Sequence, residues 1–116
     1  IDMMTDGTEA REFLYAEDCC EALEIIMGHY DKLSSDDELH ITTGSHTTIL
    51  EIARIIQRLF STIDKEVVIT RSECIDEVQK DARNKPDPYI QKFWRAKTSV
   101  KEGLSKVFFK MRNDYE

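Results

Sequence analysis

Apolar residues recur at helical spacing in four stretches of the chain and at strand-like spacing in a few short ones, which predicts an α/β domain. Phe13 and Tyr15 alternate with polar neighbours as a short strand does, directly after a turn at Asp6-Gly7. Cys19, Cys20, Leu23, Ile26 and Met27 then mark one helical face, with Glu17 and Asp18 in the first turn, where the helix dipole favours acids, and Gly28 at the end. Residues 31–38 hold serines and acids without periodicity and read as a loop, before a short, partly buried strand at Leu39-His40-Ile41.

The second helix has the clearest signature. Thr48-Ile49-Leu50-Glu51 matches a capping box, in which a hydroxyl and a carboxylate satisfy backbone donors that the first helical turn leaves unpaired. Ile49, Ile52, Ala53, Ile56, Leu59 and Phe60 form its apolar face, and Arg54, Gln57 and Arg58 lie outside that face. The β-branched run Glu66 to Thr70 predicts a buried strand, and the polar, aperiodic run Arg71 to Lys85 predicts a long loop bordering a site. Asp87-Pro88 supplies an N-cap and a first-position proline for a short helix through Tyr89, Ile90 and Phe93. Ser99-Val100-Lys101-Glu102 repeats the capping-box pattern ahead of a closing helix with Val100, Leu104, Val107, Phe108 and Met111 on its apolar face.

Composition narrows the function classes. With 116 residues, 41% of them apolar and 34% charged, the chain suits one small globular domain. No apolar run approaches the roughly 20 residues that span a bilayer, and the first residues lack the pattern of a signal peptide, so a soluble, cytoplasmic protein is expected. The opening at Ile1, running straight into a turn, reads as a chain cut from something longer. A net charge of −7 repels nucleic-acid phosphates, and the basic residues are spread along the sequence. Cys19, Cys20 and Cys74 do not form an even disulfide framework, and with His29 they match no zinc spacing; reduced thiols are expected.

The segment Asp6 to Asp18 carries the strongest chemical hint. It sets Arg11 at the mouth of a short strand between a glycine turn and an acid-capped helix, where a planar guanidinium suits a diphosphate.

These elements, in this order, resemble the C-terminal part of the extended short-chain dehydrogenase/reductase family, the NAD-dependent nucleotide-sugar epimerases and dehydratases. Asp6-Gly7-Thr8, Arg11-Glu12-Phe13-Leu14-Tyr15 and Asp18 are similar to that family's turn, arginine-aromatic strand and helix-opening aspartate. Leu39 to Gly44 with Thr47-Thr48-Ile49 is similar to its strand, glycine turn and capped helix. Trp94 to Ser99 with Lys101-Glu102-Gly103-Leu104 is similar to its tryptophan turn and final helix start.

The resemblance implies a small C-terminal α/β lobe of a few short strands and about four helices, without the Rossmann core. It implies that residues 1–44 pack on the dinucleotide-binding portion of a parent enzyme and that residues 45–116 form a helical substrate lobe. It also implies a nucleotide-diphosphate sugar as substrate, NAD as the parent's cofactor, and Arg11 against the diphosphate. A second family arginine is expected in an Arg-Pro-Gly-Asp-like loop, where this sequence has Glu73-Cys74-Ile75-Asp76-Glu77; Arg83, or less directly Arg71, is the substitute within reach. His40 stands where the family often has asparagine, so a base- or ribose-facing role competes with a backbone-satisfied one. The cluster Tyr89, Phe93 and Trp94 suits either base stacking or helix packing, and the family uses this tryptophan in packing.

Gly7, Gly28, Gly44 and Gly103 cannot compose G-x-G-x-x-G, and no tyrosine is followed four residues later by lysine. This chain by itself is therefore expected to bind no NAD and to be inactive. Apolar surface left by the missing portion predicts a homo-oligomer. The rival expectation is a non-catalytic α/β binding or protein-interaction module on the same scaffold.

Overall fold

The computed structural model describes residues 1–78 and 85–115. Its regular elements are β1 (Ala10–Arg11), α1 (Ala16–Gly28), β2 (Thr47–Thr48), α2 (Ile49–Ser61) and α3 (Val100–Tyr115), with single 3-10 turns at Tyr30–Lys32 and Pro88–Lys92. β1 and β2 pair antiparallel, Ala10 opposite Thr48 and Arg11 opposite Thr47.

The turn at Gly7 fixes where α2 starts. Gly7 has φ 81°, a conformation that side chains resist, and a Cβ there would lie 2.9 Å from the Leu50 Cβ and against the Met3 side chain. That close approach lets Leu50 N donate to Gly7 O at 3.0 Å and Ile49 N donate to Glu9 O at 3.0 Å. The first turn of α2 is thus tied to the strand that carries Arg11. Within α2, Glu51 N donates to Thr48 Oγ1 at 3.1 Å and Thr48 N donates to Glu51 Oε2 at 2.8 Å, the reciprocal pair that the sequence predicts. The same reciprocity opens α3, with Glu102 N donating to Ser99 Oγ at 3.2 Å and Ser99 N to Glu102 Oε2 at 3.3 Å. Phe60 and Phe108 meet edge to face, 5.1 Å between centroids, and join α2 to α3.

The main apolar cluster is Ala22, Ile90 and Trp94, with Leu14, Ile25 and Phe93 among the partly buried residues around it. Asp18 is buried beside it, accepting from Thr98 N at 2.9 Å and from Thr98 Oγ1 at 3.3 Å, and so ties the start of α1 to the turn before α3. The domain is thin. Its extents are 51 × 38 × 17 Å and its radius of gyration is 17.1 Å, against about 13 Å for a compact chain of roughly this size. A thickness of 17 Å admits little beyond one layer of helix, about 10–12 Å across, and its immediate backing.

Several expected elements differ. The ladder forms at Ala10–Arg11, and Phe13 to Tyr15 lead, without a strand partner among the described residues, into α1, whose N-cap Tyr15 is extended. Leu39 to Ile41 forms no ladder among the described residues. Glu66 to Thr70 is extended but not buried, with Val68 66% exposed. It lies beside the first residues of the chain through a parallel bridge between Asp2 and Thr70, with Thr70 N donating to Ile1 O at 2.9 Å and Met3 N to Thr70 O at 2.8 Å.

On α1 the inward face is Asp18 and Ala22 with Ile25 and Ile26, while Leu23 and Met27 are 49% and 71% exposed. Apolar residues occupy more than one side of that helix, and the Asp18 bonds to Thr98 select the side that turns inward. The segment after Asp87 is a 3-10 helix, with Asp87 Oδ1 accepting from Tyr89 N at 2.9 Å.

Candidate functional site

Arg11 stands at the end of β1, its side chain 53% exposed, with one guanidinium nitrogen 3.7 Å from an Asp76 carboxylate oxygen. Its acidic neighbours in sequence are engaged elsewhere. Glu9 is buried and accepts from Thr5 Oγ1 at 2.5 Å, and Glu12 accepts from the hydroxyl of buried Thr42. The pairing thus differs from the Glu9 or Glu12 contact that proximity alone suggests.

Arg71 reaches the same edge. Its Nε donates to Asp6 O at 2.7 Å, next to the carboxylate that accepts from Thr8 N at 2.9 Å and Thr8 Oγ1 at 2.7 Å. Those two bonds, the backbone one first, hold the Asp6 carboxyl below its ordinary range, with a smaller contribution from the Arg71 charge. Arg83 lies outside the described residues. The structure therefore brings Arg11 and Asp76 together, and Arg71 with the Asp6 turn.

Among the described residues, depressions lie on either side of β2. One, of about 410 Å³, is lined by Glu12, Thr42, Gly44, His46, Lys85 and Gln91 with Pro86 and Pro88. The other, of about 800 Å³, runs between the start of α2 and the turn before α3, with Phe13, His46, Thr47, Arg54, Arg58 and Lys101 among its lining residues. Thr47 is the cross-strand partner of Arg11, so this larger groove begins beside the β1–β2 ladder. Lys97, also on its wall, has its Nζ 2.8 Å from Glu21 Oε2, a hydrogen bond that raises the lysine above its ordinary value. In the sequence Arg54 and Arg58 stand only as residues outside the apolar face. Their i, i+4 spacing, which stacks two like charges on one side of α2, is the signal that marks them for this groove.

His40 is structural: its Nδ1 accepts from Asp87 N at 2.9 Å, and its Nε2 is 2.8 Å from Glu38 Oε2. Trp94, 4% exposed, belongs to the apolar cluster; Tyr89 and Phe93 meet edge to face, and Tyr89 Oη accepts from Ser34 N at 2.8 Å. Packing is thus the use the structure makes of the aromatic cluster. Among the described residues no group of three or more His, Cys, Asp or Glu is placed to hold a metal ion.

No protein-family model matches the chain. The GDP-L-fucose synthase of Sinorhizobium fredii is 31% identical over 102 residues, covering 88% of this chain and 31% of that protein. A rice protein (Oryza sativa subsp. japonica) named Probable GDP-L-fucose synthase 1 is 28% identical over 112 residues, covering 88% of this chain and 29% of its own length. The chain thus spans about a third of the length of these relatives. Among solved structures, the UDP-glucose 4-epimerase of Thermotoga maritima with UDP-glucose superposes on 100% of this chain and 36% of its own, with a TM-score of 0.72 and 20% identity. The motif order, the relatives and the shared fold agree: the chain belongs to the extended short-chain dehydrogenase/reductase family of nucleotide-sugar epimerases and dehydratases, and corresponds to its C-terminal portion.

Proposed function

We propose that this chain is the nucleotide-sugar-binding portion of an NAD-dependent epimerase or dehydratase, in which Arg11 holds the sugar diphosphate in position for hydride transfer. The observation that carries the reading is the state of Arg11. Its guanidinium is exposed at the end of an ordered strand, and its ion pair to Asp76, at 3.7 Å, is too long for a hydrogen bond, so a phosphate oxygen offers it a better partner. A guanidinium presents paired donors in a fixed plane and stays charged at any working pH. Arg83 is assigned a supporting contact by its place in the sequence alone.

NAD supplies the redox chemistry when bound, and the dinucleotide-binding portion of the family's fold holds it. The residues of this chain do not fit that role, since no glycine-rich turn joins a strand to a helix among the described residues and no Tyr-x-x-x-Lys occurs. The contribution left to this chain is to fix the substrate, and positioning of this kind supplies several kcal/mol of a barrier reduction. In this reading residues 1–44 dock against the dinucleotide-binding portion and residues 45–116 form the substrate lobe. The exposure of Leu23, Met27 and Tyr30 on and beside α1 (49%, 71% and 76%) supports such docking, or self-association in its absence.

The direct trial is calorimetric titration of the full-length enzyme and its Arg11→Ala variant with UDP-, dTDP- and GDP-sugars. Loss of a charge-assisted hydrogen-bonding partner costs about 1.5–3 kcal/mol, so affinity should fall roughly 10- to 100-fold. Equal affinities would remove Arg11 from the site. Titrating the 116-residue chain with nucleotide sugars and with NAD addresses the rival interaction module. Nucleotide-sugar binding without NAD binding is expected, and binding of neither would favour the rival.

A further inference from the structure

The large groove between α2 and the turn before α3 carries an electrostatic arrangement that substrate positioning by Arg11 does not use. Arg54 and Arg58 come from one wall and Lys97 and Lys101 from the other, with Glu51 the one carboxylate on the lining, in a chain whose net charge is −7. Glu51 is already committed to Thr48 N and Thr48 Oγ1 in the α2 cap. Lys97 is neutralised by Glu21. Among the described residues no carboxylate pairs with Arg58 or Lys101. Two helices that pack on each other therefore bring like charges together around a recess. Such charges repel, and an anion between them converts that repulsion into attraction.

We propose that this groove is a second binding site, for a small phosphorylated molecule with an apolar or aromatic body. Arg54, Arg58 and Lys101 would take the phosphate. Phe13, Ile55 and Val100, which line the same recess, would take the body. Its volume of about 800 Å³ falls within the roughly 300–1,000 Å³ range of small-molecule sites. The overall negative charge acts against a long polyanion, whose phosphates extend beyond the local cluster, and leaves a compact phosphate as the matching ligand. The assignment does not depend on Arg11, which is absent from the lining.

The test is a titration of the ¹⁵N-labelled chain with phenyl phosphate, which has no nucleoside for the Arg11 site, at fixed ionic strength, alongside the Arg54→Gln/Arg58→Gln double variant and Arg11→Ala. Both arginines are exposed on α2, so the variants are expected to stay folded, and circular dichroism is the check. Saturable amide shifts are expected around residues 45–55 and 97–101, with at least tenfold weaker binding in the double variant and unchanged binding in Arg11→Ala. Phenol, without the phosphate, should fail to saturate over the same range. The proposal is overturned by shifts centred on Arg11 and residues 70–76, by equal affinity in the double variant, or by the absence of saturable binding. Because Arg11→Ala is scored separately, a failure here is distinct from a failure of the nucleotide-sugar reading.

Discussion

The end of the domain around Trp94 and the edge formed by residues 1–6 and 66–78 are built in opposite ways. At the Trp94 end, elements far apart in sequence are joined by buried side chains: Ala22 of α1, Ile90 of the 3-10 turn and Trp94, with Asp18 reaching across to Thr98. At the edge, the segments are joined mainly by backbone hydrogen bonds, Ser72 N to Thr5 O at 3.1 Å and Asp6 N to Cys74 O at 2.8 Å, while Val68, Ile75 and Val78 are 66%, 52% and 76% exposed. A backbone bond between exposed strands contributes modestly because water competes for it, whereas burial of apolar side chains supplies the main drive to fold. The Trp94 end accordingly holds the domain together, and the edge has the form of a surface awaiting cover. Arg11 lies between the two, on β1, bonded through its strand to α2 and facing Asp76 of the edge.

On that contrast, the largest loss of stability comes from emptying the Trp94 end. Ile90 is fully buried, so Ile90→Ala removes apolar contact and leaves a cavity, for an expected cost of about 2–5 kcal/mol by urea denaturation. Asp18→Ala should come next. It strands the partly buried Thr98 N–H without its buried acceptor, at about 1–3 kcal/mol, although it changes no apolar contact of comparable size. A cost near zero at both positions would show that the two regions do not differ as described.

The cap on α2 stands between the extremes, exposed yet cooperative with the strand pair. Thr48→Ala is expected to cost about 1 kcal/mol. Its partner Glu51 adds a pH signature. Hydrogen bonds from Thr48 N and then Thr48 Oγ1 hold the Glu51 carboxyl below its ordinary value of 4.5 in the folded state. The unfolded chain therefore binds a proton at a higher pH than the folded one. The stabilisation from this group is complete above the ordinary carboxylate range and is lost as pH falls through the lowered value. Glu51→Gln keeps an oxygen acceptor and cannot titrate, so its acid unfolding curve should be flatter than the wild type's over that window. Parallel curves would assign the acid sensitivity to other carboxylates.

What the sequence disclosed follows the same division. The capping boxes at Thr48 and Ser99 and the Asp87-Pro88 start were legible because each depends on residues within a few positions of one another. The inward face of α1 was not legible, because Asp18 is selected for burial by Thr98, 80 positions away, and periodicity alone favoured Leu23 and Met27. The run Glu66 to Thr70 has strand composition but in this structure pairs with the chain's first residues and is held to α2 by Gln57 Nε2 donating to Val67 O at 2.7 Å, so composition predicted a burial that its surroundings do not provide. At the candidate site, Arg11 was legible through its motif. Asp76 as its partner was not, since no local pattern links two positions so far apart. The convergence of Arg54 and Arg58 with Lys101 likewise required the packing of α2 against α3, which no single segment contains.

The smallest effect on folding is expected at the edge, and it is the one that sharpens the comparison most. Val68→Ser and Val78→Ser alter side chains that already meet solvent, so each should change unfolding free energy by no more than about 0.5 kcal/mol. Their effect should appear in association instead. If this edge and the exposed side of α1 are surfaces awaiting cover, copies of the chain at high concentration will cover them with one another, and sedimentation should show a dimer or larger species. Combining Val68→Ser and Val78→Ser with Met27→Ser, which removes the most exposed apolar side chain of α1, should then shift the population toward monomer without a matching loss of stability. A wild-type chain that sediments as a monomer at high concentration would count against the edge as an uncovered surface. A Val68→Ser/Val78→Ser double variant that unfolds would place the edge in the folding core, beside Trp94.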